Sequence, residues 1–303
     1  MKNFRGWRIE CFLMTILIIT GFGCTEPFTI ETKNSPPVPV IYGMLTDELK
    51  HQEIMISRSS AYFDNQPNVG VSNAEVIIQS SNNETFRFIE KRDSIQGLYV
   101  SENTFAARIG TEYTLSVTMD FNGKGQLDRY NASTTILPPA VVDSVFLEPL
   151  ELMGRKLHVL NTYFNDPAGE SYLMFHVFYN DSLLTDKISN ALISNDELMN
   201  SQQIAAPIYR FADISEKEKD QRPDDQQNRR IYLQDGDRVD AAVSVLPKGY
   251  FDFISQCQKE MGGENPMFGG PASNIATNIS GGGVGYFTGY SVVRTLASRK
   301  TNR

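Results

Sequence analysis

Cysteine is scarce in this chain of 303 residues, with three in all. Cys11 and Cys24 lie in the first two dozen positions and Cys257 stands far from both. Once an amino-terminal leader is removed and Cys24 is consumed, no intrachain disulfide is possible, so an exported form must be held together by core burial. Tryptophan occurs once, as Trp7, inside the same leader. That absence counts against a carbohydrate-binding module built on flat indole platforms, although 13 tyrosines remain. Histidine occurs three times, as His51, His158 and His176. None has a second His or a Cys at metal-ligand spacing, which argues against zinc. No Gly-x-Ser-x-Gly elbow is present, so the commonest serine-hydrolase signature is missing. Basic residues fall short of acidic ones, 28 against 36, and an acidic surface repels phosphate backbones, which excludes nucleic acid as a natural partner. The apolar run Cys11 to Ile19 is much shorter than the roughly 20 residues that span a bilayer.

What is present at the amino terminus is a leader. Lys2, Arg5 and Arg8 form a basic segment, an apolar stretch follows, and Gly21-Phe22-Gly23-Cys24 supplies small residues ahead of a cysteine. This order is that of a signal peptide ending at a lipoprotein cleavage site, with Cys24 the residue that receives the lipid. The alternative is an ordinary secretory leader in which Cys24 is incidental. Residues 1–23 are then the signal peptide and 24–36, rich in Thr, Glu, Pro and Asn, a tether. The leader removes three basic residues and one acidic residue, so the formal charge of −8 becomes −10 in the mature chain.

Beyond the tether, short alternating or β-branched runs are separated by turn residues. Examples are Val38–Leu45, Glu53–Ser57, Ala74–Gln79, Thr85–Ile89 and Tyr113–Thr118, with Ser81-Asn82-Asn83 and Asn122-Gly123-Lys124-Gly125 between them. Such spacing predicts an antiparallel β-sandwich over 37–137. Leu137-Pro138-Pro139-Ala140 marks a domain boundary, because tandem prolines cannot donate to a ladder. A second β-sandwich is expected over 141–298, Ig-like or carboxypeptidase-regulatory-like in kind, with long loops and one inserted helix at about 247–261. Pro247 starts that helix, Tyr250, Phe251, Ile254, Cys257 and Met261 fall at helical spacing, and Gly262-Gly263 ends it. A closing strand from Val284 to Leu296 is expected to complete the second sheet. Asp213 to Arg230 is almost devoid of apolar residues and reads as a solvated excursion.

Chemistry is sparse in this pattern. Cys257, inside the helix, reads as a buried thiol rather than a nucleophile. Gly281-Gly282-Gly283-Val284-Gly285 lacks the third glycine of a dinucleotide loop and the Lys-Ser/Thr of a P-loop, and a strand follows it, so a tight turn or close backbone approach is the better reading. No catalytic, cofactor-binding or metal-ligating residue is assigned. An aromatic-lined cleft for ligand or partner is expected at Tyr62, Phe63, Tyr286 and Tyr290.

Val40-Ile41-Tyr42-Gly43-Met44-Leu45-Thr46-Asp47, Ile56–Phe63, Val71–Val76, Gly97-Leu98-Tyr99, Ile109–Leu115, Pro271–Ile275 and Gly281–Phe287 occur in an order that resembles an uncharacterised family of Bacteroidota outer-membrane lipoproteins, a domain of unknown function of the DUF4249 type. The resemblance spans nearly the whole mature chain. It implies an outer-membrane lipoprotein, anchored through Cys24 on the cell-surface or periplasmic face and often associated with a TonB-dependent receptor. It supplies no catalytic residues. The expected role is that of a noncatalytic accessory or binding subunit in nutrient uptake. A peptide- or glycan-binding lipoprotein is the alternative, ahead of an adhesin or an unrecognised hydrolase.

Overall fold

Alternation of inward apolar and outward polar residues sets the first half of the protein, because side chains on a strand point to opposite faces in turn. In a computed structural model describing residues 36–60, 68–91, 93, 95–165, 169–195, 203–217, 230–262 and 275–299, this half contains β1 (Pro39–Thr46), β2 (Glu53–Arg58), β3 (Glu75–Ser80), β4 (Thr85–Glu90), β5 (Leu98–Ser101), β6 (Glu112–Met119) and β7 (Asp128–Thr135). On β6, Tyr113, Leu115, Val117 and Met119 are buried while Glu112 and Thr114 face water. The inward residues form one core with Ile41, Ile54, Ile78 and Phe287.

Phe287 belongs to β16 (Val284–Tyr290), which corrects the expected closing strand. β16 completes the first sheet, giving the order β16-β1-β2-β5-β4-β3-β6-β7. It runs parallel to β1, with Val40 opposite Val284 and Thr46 opposite Tyr290. Glycine makes the approach possible. A Cβ on Gly285, whose φ is +104°, would lie 2.2 Å from the Ile41 carbonyl oxygen, and one on Gly289 would strike Ile136. The remaining seam between β16 and β7 is closed by polar groups: Ser280 N and Oγ donate to the Asn131 carbonyl, and Gly289 N donates to Thr134 Oγ1. The Asn278 side chain pairs with both backbone groups of Phe287, acting as a short substitute for a strand.

The second half is a sandwich of two sheets. β8 (Val141–Leu152), β9 (Arg155–Asn165), β13 (Gln203–Asp213), β14 (Tyr232–Leu233) and β18 (Ser298–Arg299) form one; β10 (Tyr172–Tyr179), β11 (Ser182–Leu183), β12 (Leu192–Asn195), β15 (Val239–Val245) and β17 (Val293–Leu296) form the other. Val145, Leu147 and Leu160 of the first meet Val177, Val239 and Ala241 of the second. Most pairs are antiparallel, but β14 joins β13 and β18 joins β8 in parallel. Helix α1 (Lys248–Met261) follows β15, bounded by Pro247 and Gly262 as the sequence predicts. Tyr250, Phe253, Ile254 and Cys257 are its buried face, whereas Met261 is exposed. That face packs on Tyr42 and Met44 of β1, Tyr286 and Tyr290 of β16, and Tyr172 and Met174 of β10, so α1 is a wedge joining the first sheet to the second sandwich. The described residues from 37 to 299 accordingly belong to one compact unit.

Candidate functional site

The aromatic wedge gathers several polar atoms in its interior. Tyr42 lies on β1 and Tyr250 in the first turn of α1, and their hydroxyl oxygens are 2.6 Å apart. Both, with that of Tyr290, lie 3.4 Å from Met44 Sδ. Burial pushes all three phenols above their ordinary range, because the phenolate would lose its hydration. His176 on β10 stacks on Tyr290 with ring centroids 5.9 Å apart. Its burial lowers the imidazole pKa to about 4, so this histidine is neutral at neutral pH.

Tyr42, Met44 and Tyr290 also form the floor of an open cleft of about 360 Å³, with Met55 and Leu98 on its walls and Lys50, His51 and Glu53 at its rim. The rim is held by Gln52, a buried residue whose Nε2 donates to the Thr46 and Phe105 carbonyls and whose Oε1 accepts from Thr46 N. Asp47 Oδ1 accepts from Val292 N, tying the same loop to the β16–β17 connection. Lys50 Nζ is 2.7 Å from Glu48 Oε2. Burial acts to raise the Glu48 pKa, but hydrogen bonds from Lys50 and Thr46 outweigh it and leave the carboxyl below its usual range. A thioether and aromatic floor under a rim of both charge signs suits an apolar side chain flanked by polar peptide or hydroxyl groups.

Two other constellations invite a catalytic reading. His158 Nε2 is 2.9 Å from Asp213 Oδ2, and Ser215 is adjacent. The Ser215 hydroxyl donates to Asp213 Oδ1, however, together with its own backbone N–H. A nucleophile needs its proton taken by the imidazole; here Asp213 instead caps the 3-10 turn Ile214–Glu216. Its carboxyl pKa falls to about 2, chiefly through the Ser215 hydroxyl and then His158. Cys257 is buried against the wedge, and burial raises its thiol pKa, the opposite of nucleophile activation. Among the described residues no group of three or more His, Cys, Asp or Glu side chains is placed to hold a metal ion.

Of the residues singled out from sequence, Cys24, Tyr62 and Phe63 lie outside the described residues. Tyr286 and Tyr290 come together on one face of β16, where both rings pack on Tyr250, with centroids 5.5 and 6.4 Å away. Tyr290 is buried beneath the cleft and Tyr286 is half-buried, lining a shallow depression of about 440 Å³ with Lys248, Glu112 and Thr135. Sequence reading missed Tyr42 and Met44 as cleft residues. It also missed Asp240, which is 1 % exposed and bridges Arg238 and Arg294. Asp240 is the one charge in the apolar run Val239–Val245, a signal that was available.

The protein is thus mostly β, with two sheet systems pinned by an aromatic helix. The chain belongs to the family described as Domain of unknown function (DUF4249), whose model matches residues 25–295. None of the curated proteins matches it. The crystal structure of a DUF4785 family protein from Legionella pneumophila is similar at 10% identity and a TM-score of 0.23, over 67% of this chain and 51% of that one. The matched chain is thus about twice the length that the match spans.

Proposed function

We propose that this protein is a noncatalytic, lipid-anchored outer-membrane lipoprotein of Bacteroidota and an accessory or binding subunit of a TonB-dependent nutrient-uptake system. The observation that carries the reading is the leader: a basic segment, a short apolar run and Gly23-Cys24. The family match begins at residue 25, directly behind the cysteine, which supports a mature domain starting there. Anchoring raises the effective concentration of the body beside any membrane partner, and the several acyl chains of a bacterial lipoprotein make release negligible.

The test is a mild-detergent pull-down of the tagged protein from its native membrane, with Cys24→Ala as control. Recovery of a TonB-dependent receptor in near-equal amount, dependent on Cys24, supports the reading; recovery of no stable partner overturns the accessory role. A second reading, capture of a peptide or glycan, is favoured by the cleft over Tyr42, Met44 and Tyr290. It gains the first place if the purified protein retains a peptide or oligosaccharide that Met44→Trp displaces.

A further inference from the structure

The β8–β9 hairpin outruns both of its neighbours. β18 pairs only with Phe146 and Leu147 of β8, and the ladder from β13 to β9 ends at Leu157. Residues 150–156 are all exposed. Three of them are large and apolar: Leu150 is 37%, Leu152 47% and Met153 96% exposed. Leu150 and Leu152 share one face of the strand, and Ile214, 42% exposed, adds to the same end of the sheet beside Asp213.

The apex is unusual for its backbone as well. Met153 has φ +52° and Gly154 φ +71°, and Leu152 pairs with Arg155 across them. A two-residue turn of this kind favours Asn-Gly or Asp-Gly, since a left-handed backbone is costly for a large side chain. A methionine there bears that cost and exposes its thioether to water besides. Folding alone does not select such a residue. Arg155 and Lys156 follow immediately, and Lys156 lies opposite Glu151. The tip is therefore an apolar point with a cationic shoulder on a chain of net charge −8.

We propose that this tip is a lipid-surface contact, which enters the interface of the bilayer with Leu150, Leu152 and Met153 while Arg155 and Lys156 meet acidic headgroups. The proposal rests on anchoring through Cys24. The 12 residues from Cys24 to Ser35 span at most about 40 Å when extended, so an anchored body stays next to a bilayer. Apolar side chains beside basic ones are the pattern that binds such interfaces. A protein groove would take the apolar residues but has no general need of the cationic pair.

The mature chain lacks tryptophan, which makes an introduced indole a private reporter. Lipidated Met153→Trp protein is reconstituted into vesicles of phosphatidylcholine and phosphatidylglycerol, with Leu127→Trp, at another exposed apolar position, as the reference. The expected result is a blue-shifted emission for position 153, quenched by lipids brominated near the headgroup. The reference shows neither, and adding Leu150→Asp with Leu152→Asp abolishes both. Water-like emission at 153 in protein that co-sediments with the vesicles overturns the contact and leaves the anchor standing. Failure to co-sediment overturns both. An indole exposed in pure lipid but shielded in native membranes overturns the lipid contact in favour of a protein groove.

Discussion

The Tyr42 and Tyr250 hydroxyls share a hydrogen bond of 2.6 Å between β1 and α1, and the proton count around it explains Met44. Whichever phenol donates, one of three phenolic protons is used between them. Two remain, and Met44 Sδ, 3.4 Å from all three oxygens, has two lone pairs to receive them. A thioether is a weak acceptor, but here it is what keeps buried phenols from being stranded. The wedge thus joins the first sheet to the second sandwich through polar contacts as well as ring packing.

Replacing the sulfur without changing the volume isolates that role. Met44→Leu costs under about 1.5 kcal/mol as packing, and stranding hydroxyl protons adds roughly 1–3 kcal/mol. Tyr290→Phe removes one donor and costs about 1 kcal/mol. We expect the Met44→Leu penalty in urea unfolding to shrink in the Tyr290→Phe background, because the Tyr42–Tyr250 bond persists there and one proton rather than two then needs the sulfur. Strictly additive penalties would show that the sulfur contributes packing alone.

His176 gives stability a pH dependence with a defined window. Its folded pKa of about 4 lies below the ordinary value of 6.5, burial being the largest cause. Between those values the unfolded chain binds more protons, so stability falls as pH drops from 6.5 to 4 and this contribution is constant below. The total loss is about 3 kcal/mol. Asp213 acts in a lower window: its pKa is depressed from 3.8 to about 2, so its stabilising effect is present above 4 and lost as pH falls through 2. His176→Phe should flatten urea midpoints between pH 6.5 and 4 while leaving the steeper loss below pH 4. An unchanged slope in the upper window means that the imidazole is protonated in the folded state.

Asp240 should be the most sensitive charged residue in the second sandwich. Its buried carboxylate accepts from Arg294 Nε at 2.8 Å and from Arg238 Nε at 3.2 Å, and the Arg294 guanidinium lies 4.0 Å over the Phe178 ring. Removing one partner of a fully buried pair costs about 3–5 kcal/mol, but both arginines reach solvent here, 52% and 34% by side chain. Asp240→Asn is therefore expected to cost about 2 kcal/mol, and Arg294→Lys less, through loss of the two-pronged contact and the stacking. Thermal unfolding of the two variants checks the order.

Legibility from sequence followed the range of the interaction that fixes each element. α1 was readable because Pro247, the apolar spacing and Gly262 are all local. The long strand β13 was not, because Pro207 in its middle argues against a strand; the structure accommodates it at a register shift between Pro207 and Tyr209. β16 is legible as a strand but its sheet is not, since its parallel pairing with β1 joins positions more than 240 residues apart and glycine carries no side-chain pattern to reveal a partner. Tyr286 and Tyr290, two of the four aromatics expected to line a cleft with Tyr62 and Phe63, lie together on β16, but alternation cannot say that a helix covers them. Asp240 stands out in sequence as the one charge in the run Val239–Val245, but only the fold brings Arg294 to it.

The glycines at the start of β16 should divide sharply under substitution. Gly282 has φ +84° with open space around a would-be Cβ, whereas Gly285 has φ +104° and a Cβ there would meet Ile41 O at 2.2 Å and Ile41 C at 2.9 Å. Gly282→Ala then incurs only the left-handed backbone penalty, about 1–2 kcal/mol. Gly285→Ala incurs that penalty and also pushes β16 off β1 along the parallel ladder, for a loss of more than about 3 kcal/mol. Because β16 carries Tyr286 and Tyr290 onto α1, the damage should reach the wedge: Cys257, buried against it, should become reactive to a thiol reagent in Gly285→Ala and stay protected in Gly282→Ala. Equal protection in both would mean that α1 is held by the second sandwich alone and that β16 does not pin it.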